Sequence, residues 1–170
     1  MEKEIINRVD QSGLTEINLE DFYPKGERAL IDVKENLFQG LILKEKDFRE
    51  FVKNENWAQY KDKFVAITCS ADAIVPTWAY MLIASALQPF AKKFVFGDLK
   101  TLETVLFHEA LSGIEPEQYR GKKLIVKGCG NVPVPESAYV EFTRILTPVA
   151  KSIMFGEACS TVPIYKQKEG

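Results

Sequence analysis

Histidine occurs once in this chain and cysteine only three times. A single histidine excludes His-rich metal sites, and any Ser-His-Asp or Cys-His pair would have to use His108. Three cysteines is an odd number, which a fully paired secreted disulfide framework does not leave, and no C-x-x-C spacing occurs. Basic residues never run beyond a pair, at Lys92-Lys93 and Lys122-Lys123, and the formal net charge is −2. A phosphate-backbone footprint is therefore missing, and nucleic acid is not an expected partner. The opening residues, MEKEIINRVDQ, contain no apolar signal core, so the expected setting is a soluble protein of the reducing cytoplasm. Residues 73–91 carry no charge, but Pro76 and Pro89 punctuate them. The helix they leave is too short for the roughly 30 Å of a bilayer core, so no membrane span is expected.

What is present is ordinary globular usage, with 46% apolar and 27% charged residues. A chain of 170 residues buries enough surface to fold without disulfides or metal. Residues 1–62 are charge-rich and irregular, with apolar pieces at 30–33 and 41–43 and a helix predicted over 45–53. From Lys63 the pattern becomes regular. Strands predicted at 64–68, 94–96, 124–127 and 151–155 alternate with helices predicted at 76–88, 99–111 and 138–147. Apolar strands separated by helices of ten to fifteen residues predict βαβ units and a parallel sheet covered on both faces. The expected fold class is α/β. It is read as one three-layer domain over 1–170, with about four core strands in a mainly parallel sheet over 63–166. Residues 1–62 form an N-terminal α+β extension that adds edge strands or a flap.

A recurring element carries the candidate chemistry. QYKDK (59–63) precedes the first strand and QYRGK (118–122) precedes the third. Each strand then runs into a cysteine, Cys69 or Cys129, followed by a small residue, Ser70 or Gly130, and by Val75-Pro76 or Val132-Pro133. The third cysteine repeats the local pattern as Cys159-Ser160-Thr161-Val162-Pro163. Cys-x-x-Val-Pro thus occurs twice, and a version longer by three residues occurs once.

In an open parallel sheet the loops leaving the carboxyl ends of strands form the binding edge, so Cys69, Cys129 and Cys159 are expected at one edge. The small residues beside them, Ser70, Gly128, Gly130 and Ser160, let backbone amides approach a bound group. The Val-Pro that follows holds the loop extended and supplies no competing donor. Thiolates with nearby amides suit soft metals and iron–sulfur clusters. The expected ligands are Cys69, Cys129 and Cys159, with Asp72 as the fourth because it is the only charge between residues 70 and 91. Zinc or an iron–sulfur cluster is the expected cofactor. Asp98 and Glu157 are further carboxylates near strand ends. His108 lies more than two turns into its helix, away from the apolar positions, and is expected at the surface.

Two other readings stand beside the metal site. In one, Cys129 in its Gly-Cys-Gly turn is the reactive thiol of an enzyme. In the other, the cysteines are structural and the chain is a non-catalytic interaction module, with 1–62 as a partner surface or homo-oligomer contact. Gly128-Cys129-Gly130 opens like a dinucleotide fingerprint, but Pro133 stands where the third glycine belongs, which excludes that motif.

Several strings resemble one bacterial family: EKDFRE (45–50), CSADAIVPTWAYML (69–82), KGCG (127–130), PVAKSIM (148–154) and GEACSTVPIYK (156–166). They resemble domain-of-unknown-function family 2480 from about residue 17 to residue 166, with no departure from its pattern. The resemblance implies a small soluble cytoplasmic protein and brings no assigned activity or catalytic residue. It also implies an association with iron–sulfur assembly genes, so under the metal reading the expected partner is a protein of sulfur or iron–sulfur assembly.

Overall fold

Strands with an unbroken apolar centre become central parallel strands, because a strand buried on both faces has no reason to alternate. Phe64–Thr68 and Lys123–Lys127 are of this kind, with Val65, Ala66, Leu124 and Ile125 buried. The computed structural model describes residues 13–128, 130–157 and 160–170. Along them run β1 (Leu14–Asn18), β2 (Arg28–Asp32), α1 (Glu45–Asn54), β3 (Phe64–Thr68), α2 (Thr77–Leu87) and β4 (Lys93–Phe96). They continue with α3 (Leu99–Ser112), β5 (Lys123–Lys127), α4 (Glu136–Leu146), β6 (Ser152–Glu157) and β7 (Ser160–Lys166). No described helix is long and apolar enough to cross a membrane.

The strands form two sheets, in the orders β1-β5-β6-β7 and β2-β3-β4. Every pairing is parallel except β6 with β7, which is an antiparallel hairpin. The α/β class and the parallel pairing agree with the pattern of the sequence. The single sheet of about four core strands is corrected. β1 flanks β5 and β2 flanks β3, so each central strand is hydrogen-bonded on both sides within its own sheet. Neither central strand has an edge left to join the other.

The chain divides into two compact units: a central unit, Lys25–Val105, and a terminal unit made of Met1–Pro24 with Leu106–Gly170. In the central unit, Phe48 of α1 and Ala79, Ile83 and Leu87 of α2 pack with Val65 and Ile67 of β3. The four-residue spacing on α2 places its buried residues on one stripe. Arg28 of β2 donates to Glu103 at 2.6 and 3.2 Å, tying the first turns of α3 to the edge strand. In the terminal unit, Phe107 of α3 and Ala138, Phe142 and Leu146 of α4 pack with Leu124 and Val126 of β5.

These two descriptions are one pattern repeated at a displacement of 59 residues. α2 at Thr77–Leu87 matches α4 at Glu136–Leu146; the edge strands stand outside that displacement, since β1 precedes β2, but match in pairing, with Ile31 opposite Ile67 and Ile17 opposite Val126. Asp62 N–H donates to Phe90 O at 3.0 Å, and Gly121 N–H donates to Val149 O at 2.9 Å. Both residues have positive φ, 59° and 71°, as the turn into the central strand requires. Aspartate and glycine are among the few residues that take this conformation at low cost.

The recurrence seen around the cysteines is part of this duplication, and its register is corrected by it. The equivalent of Val75-Pro76 is Val134-Pro135 rather than Val132-Pro133. Pro76 and Pro135 each occupy the position before a helix, with extended ψ of 137° and 150°. Proline suits that place because its missing N–H has no helical partner to lose. In this register Cys129 corresponds to Ser70 and Gly128 to Cys69.

Candidate functional site

In each unit, the loops at the carboxyl ends of the strands are tied together by a carboxylate. Asp32, at the end of β2, accepts from the Ser70 amide at 3.0 Å and the Ser70 hydroxyl at 2.6 Å, and from the Lys34 amide at 3.1 Å. Burial pushes the Asp32 carboxyl up. The Ser70 hydroxyl and amide, then the Lys34 amide and ammonium, outweigh that and hold it below its ordinary value. In the terminal unit Glu20, two residues after β1, accepts from the Val132 amide at 3.2 Å. Glu20 also lies where a Cβ on Gly130 would have to go.

The predicted site residues separate along these lines. Cys69 follows β3 in the central unit, is half-buried, and points its thiol at Ala71 O at 3.7 Å. Ser70 binds the Asp32 carboxylate through both its amide and its hydroxyl, so those donors are already engaged. Asp72 is exposed on the rim of a shallow cleft formed by Leu41, Ile42, Ala73 and Ile74. Asp98 caps α3, accepting from the Thr101 amide and hydroxyl at 2.8 and 2.9 Å. Glu157 and Glu16 both pair with Lys127, at 2.9 and 3.0 Å.

Gly128 lies against the Tyr139 ring, and any Cβ there would collide with it. Ser160 opens β7 opposite Glu157. His108 has a side chain 63% exposed and faces Glu141 at 3.4 Å.

Cys129 and Cys159 lie outside the described residues. Among the described residues, no group of three His, Cys, Asp or Glu side chains is gathered to hold a metal. The convergence expected from a shared sheet edge loses its basis, because Cys69 follows a strand of one sheet while β5 and β6 belong to the other. Sequence reasoning missed Asp32 and Glu20. The signal available for Asp32 was its match with Asn18, since both cap a short 3-10 helix directly after an edge strand.

Larger than these latches are two apolar clefts at equivalent positions. In the central unit a cleft of about 510 Å³ lies between α2 and β4, lined by Ile67, Tyr80, Met81, Ala84, Phe94 and Phe96. Its twin of about 460 Å³ lies between α4 and β6, lined by Val126, Val134, Tyr139, Thr143 and Phe155, with Ile164 of β7. Each holds an edge-on aromatic pair. Tyr80 and Phe96 have centroids 5.0 Å apart at 74°, and Tyr139 and Phe155 are 5.7 Å apart at 77°. Burial raises the Tyr80 phenol above its ordinary value, and Cys69 and Asp32 add to the shift.

The clefts differ in cover and in charge. β7 pairs with β6 and contributes Ile164 to the twin cleft, whereas no strand lies beyond β4 among the described residues. Glu136 lines the twin cleft where Thr77 lines the open one, and α4 also carries Glu141 and Arg144, joined at 2.7 Å. α2 carries Leu82 and Ser85 at those places and has no charge anywhere along it. Phe96 is left 66% exposed, whereas Met81 at 67% is matched by its twin Val140 at 71%.

Fold and clefts together define a duplicated α/β protein with one capped and one open apolar groove. The chain belongs to the DUF2480 family, described as proteins of unknown function, whose match spans residues 3–167. No curated protein and no solved structure matches the chain.

Proposed function

We propose that the protein is a non-catalytic interaction module that binds an extended polypeptide segment in the open groove between α2 and β4. The observation that carries this reading is the contrast between the clefts. The terminal unit fills its strand edge with β7, while the same edge in the central unit presents Phe96 to water, with Met81 of α2 exposed beside it as Val140 is in the twin. Exposed apolar residues contiguous with an unpaired strand edge mark a place where another chain adds a strand. Main-chain hydrogen bonds supply affinity there, and the cleft between Tyr80 and Ala84 receives an alternate side chain.

The test is a photoreactive amino acid at Met81 in cells of the native host, with the twin position Val140 as control. A covalent adduct to a polypeptide is expected at Met81 and not at Val140, and Phe96→Asp abolishes it. Absence of a polypeptide adduct at Met81 overturns the reading. The thiols have no part in it, so Cys129→Ser leaves the adduct unchanged.

A further inference from the structure

The open edge of β4 has its own symmetry. Lys93 and Gly97 turn their N–H groups toward Lys63 O and Ile67 O, at 3.5 and 2.9 Å, on the β3 side. Along a strand the residues between them direct N–H and C=O the other way. Phe94 and Phe96 therefore offer their backbone groups to the outer side. In the terminal unit the matching residues, Ile153 and Phe155, pair with Tyr165 and Val162 of antiparallel β7. The scaffold itself thus shows the direction in which this edge is completed.

We infer that the occupant is a second copy of this chain, its β4 antiparallel to the first about a two-fold axis at Val95. The inference rests on the docking reading above and names its partner. An axis at Val95 sets Phe94 against Phe96 of the other copy, twice, as hydrogen-bonded pairs. The two Val95 residues meet as a non-hydrogen-bonded pair, with Cα atoms about 4.5 Å apart. The same register brings Lys92 of each copy toward Asp98 of the other just beyond the ends of β4, where Asp98 also caps α3, so opposite charges face each other at both ends of the ribbon.

Moving the axis to Phe94 puts Lys92 against Phe96, and moving it to Phe96 puts Asp98 against Phe94. Only the Val95 register matches charge with charge and apolar with apolar. Because the axis runs through the ribbon perpendicular to the sheet, Phe96 and Met81 of both copies gather on one face. The uncharged surface of α2 is then covered by its own counterpart, as an isologous interface requires.

The experiment is light scattering of the full chain over a hundred-fold range of concentration, with two variants at the axis. The wild-type chain is expected at twice its 19.3 kDa mass. Val95→Lys, a charge of the kind that blocks strand edges, is expected to be a monomer with an unchanged far-ultraviolet spectrum. Val95→Cys is expected to form a disulfide-linked dimer under mild oxidation that the wild type, treated identically, does not form.

A wild-type chain that stays monomeric throughout overturns the inference, and so does a dimer that survives Val95→Lys. Should Val95→Lys fail to fold, absence of the Val95→Cys link overturns it. A monomer whose Met81 adduct joins a different protein overturns the second copy as partner and leaves the docking reading standing. Absence of any adduct removes both.

Discussion

The central and terminal units are built from one pattern of strand, helix, strand, helix, strand, yet they finish their sheets differently. The terminal unit spends seven further residues, Ser160–Lys166, on a strand that closes its edge and fills its cleft. The central unit stops at Phe96 and passes directly into α3. Two like scaffolds thus differ in what their outer strands leave exposed. The loop chemistry has diverged as well. A half-buried thiol at Cys69 stands where the terminal unit has Gly128, and that glycine leaves room for the Tyr139 ring.

The comparison breaks most forcefully in the cores. Phe48 and Phe107 occupy equivalent buried positions, and each substitution by alanine is expected to cost about 3–5 kcal/mol. Both tryptophans, Trp57 and Trp78, belong to the central unit, so fluorescence reports that unit alone. The two core clusters share no residue. Phe48→Ala is therefore expected to lower the urea midpoint seen by fluorescence. Phe107→Ala is expected to lower the midpoint seen by circular dichroism while leaving the fluorescence midpoint in place. A common shift in both would show that the units unfold as one.

Smaller effects follow from the loops and edges. Gly128→Ala forces Tyr139 to move and is expected to cost about 1–3 kcal/mol. Its counterpart Cys69→Ala is expected to cost about 1 kcal/mol or less. Phe155→Ser, beneath the β7 hairpin, is expected to cost about 2 kcal/mol, whereas Phe96→Ser on the open edge costs about 0.5 kcal/mol when measured in the monomer. Chemical denaturation of each pair checks both contrasts, and equal costs at Phe96 and Phe155 would show that the edges are alike.

The last contrast is in pH. Asp32→Ala is expected to cost about 1 kcal/mol at neutral pH. The folded-state carboxyl is held below its ordinary value of 3.8, so its contribution is complete above that value and is lost as pH falls through the lowered one. The gap between wild type and Asp32→Ala should close on acidification. Asn18 caps the matching turn with a neutral amide, so the gap for Asn18→Ala should not change with pH.

Much of the secondary structure was legible because it obeys local rules. The uncharged run at 73–91 bounded by prolines became α2, starting at the residue after Pro76 and ending before Pro89. The apolar strands at 64–68 and 124–127 became β3 and β5 within a residue. β1 was hidden because an edge strand of five residues, LTEIN, shows little pattern of its own. β7 was hidden because Pro163 interrupts it, which an outer strand tolerates at the irregularity between Ile153 and Met154. The short repeat was legible, but not its register. Val132-Pro133 mimics Val75-Pro76 in sequence, but the pair that leads into the matching helix is Val134-Pro135, two positions on.

The amino-acid sequence by itself determined the α/β class, the parallel strands, the helix boundaries at proline and the family to which the chain belongs. Tertiary structure alone decided how many sheets those strands make, because β1 and β2 choose their neighbours by contacts remote in the chain. It also decided that the equivalent of Val75-Pro76 is Val134-Pro135, each pair leading into a helix. Equivalence is set by where each residue falls on a strand or turn, and a shift of one residue moves a side chain to another face.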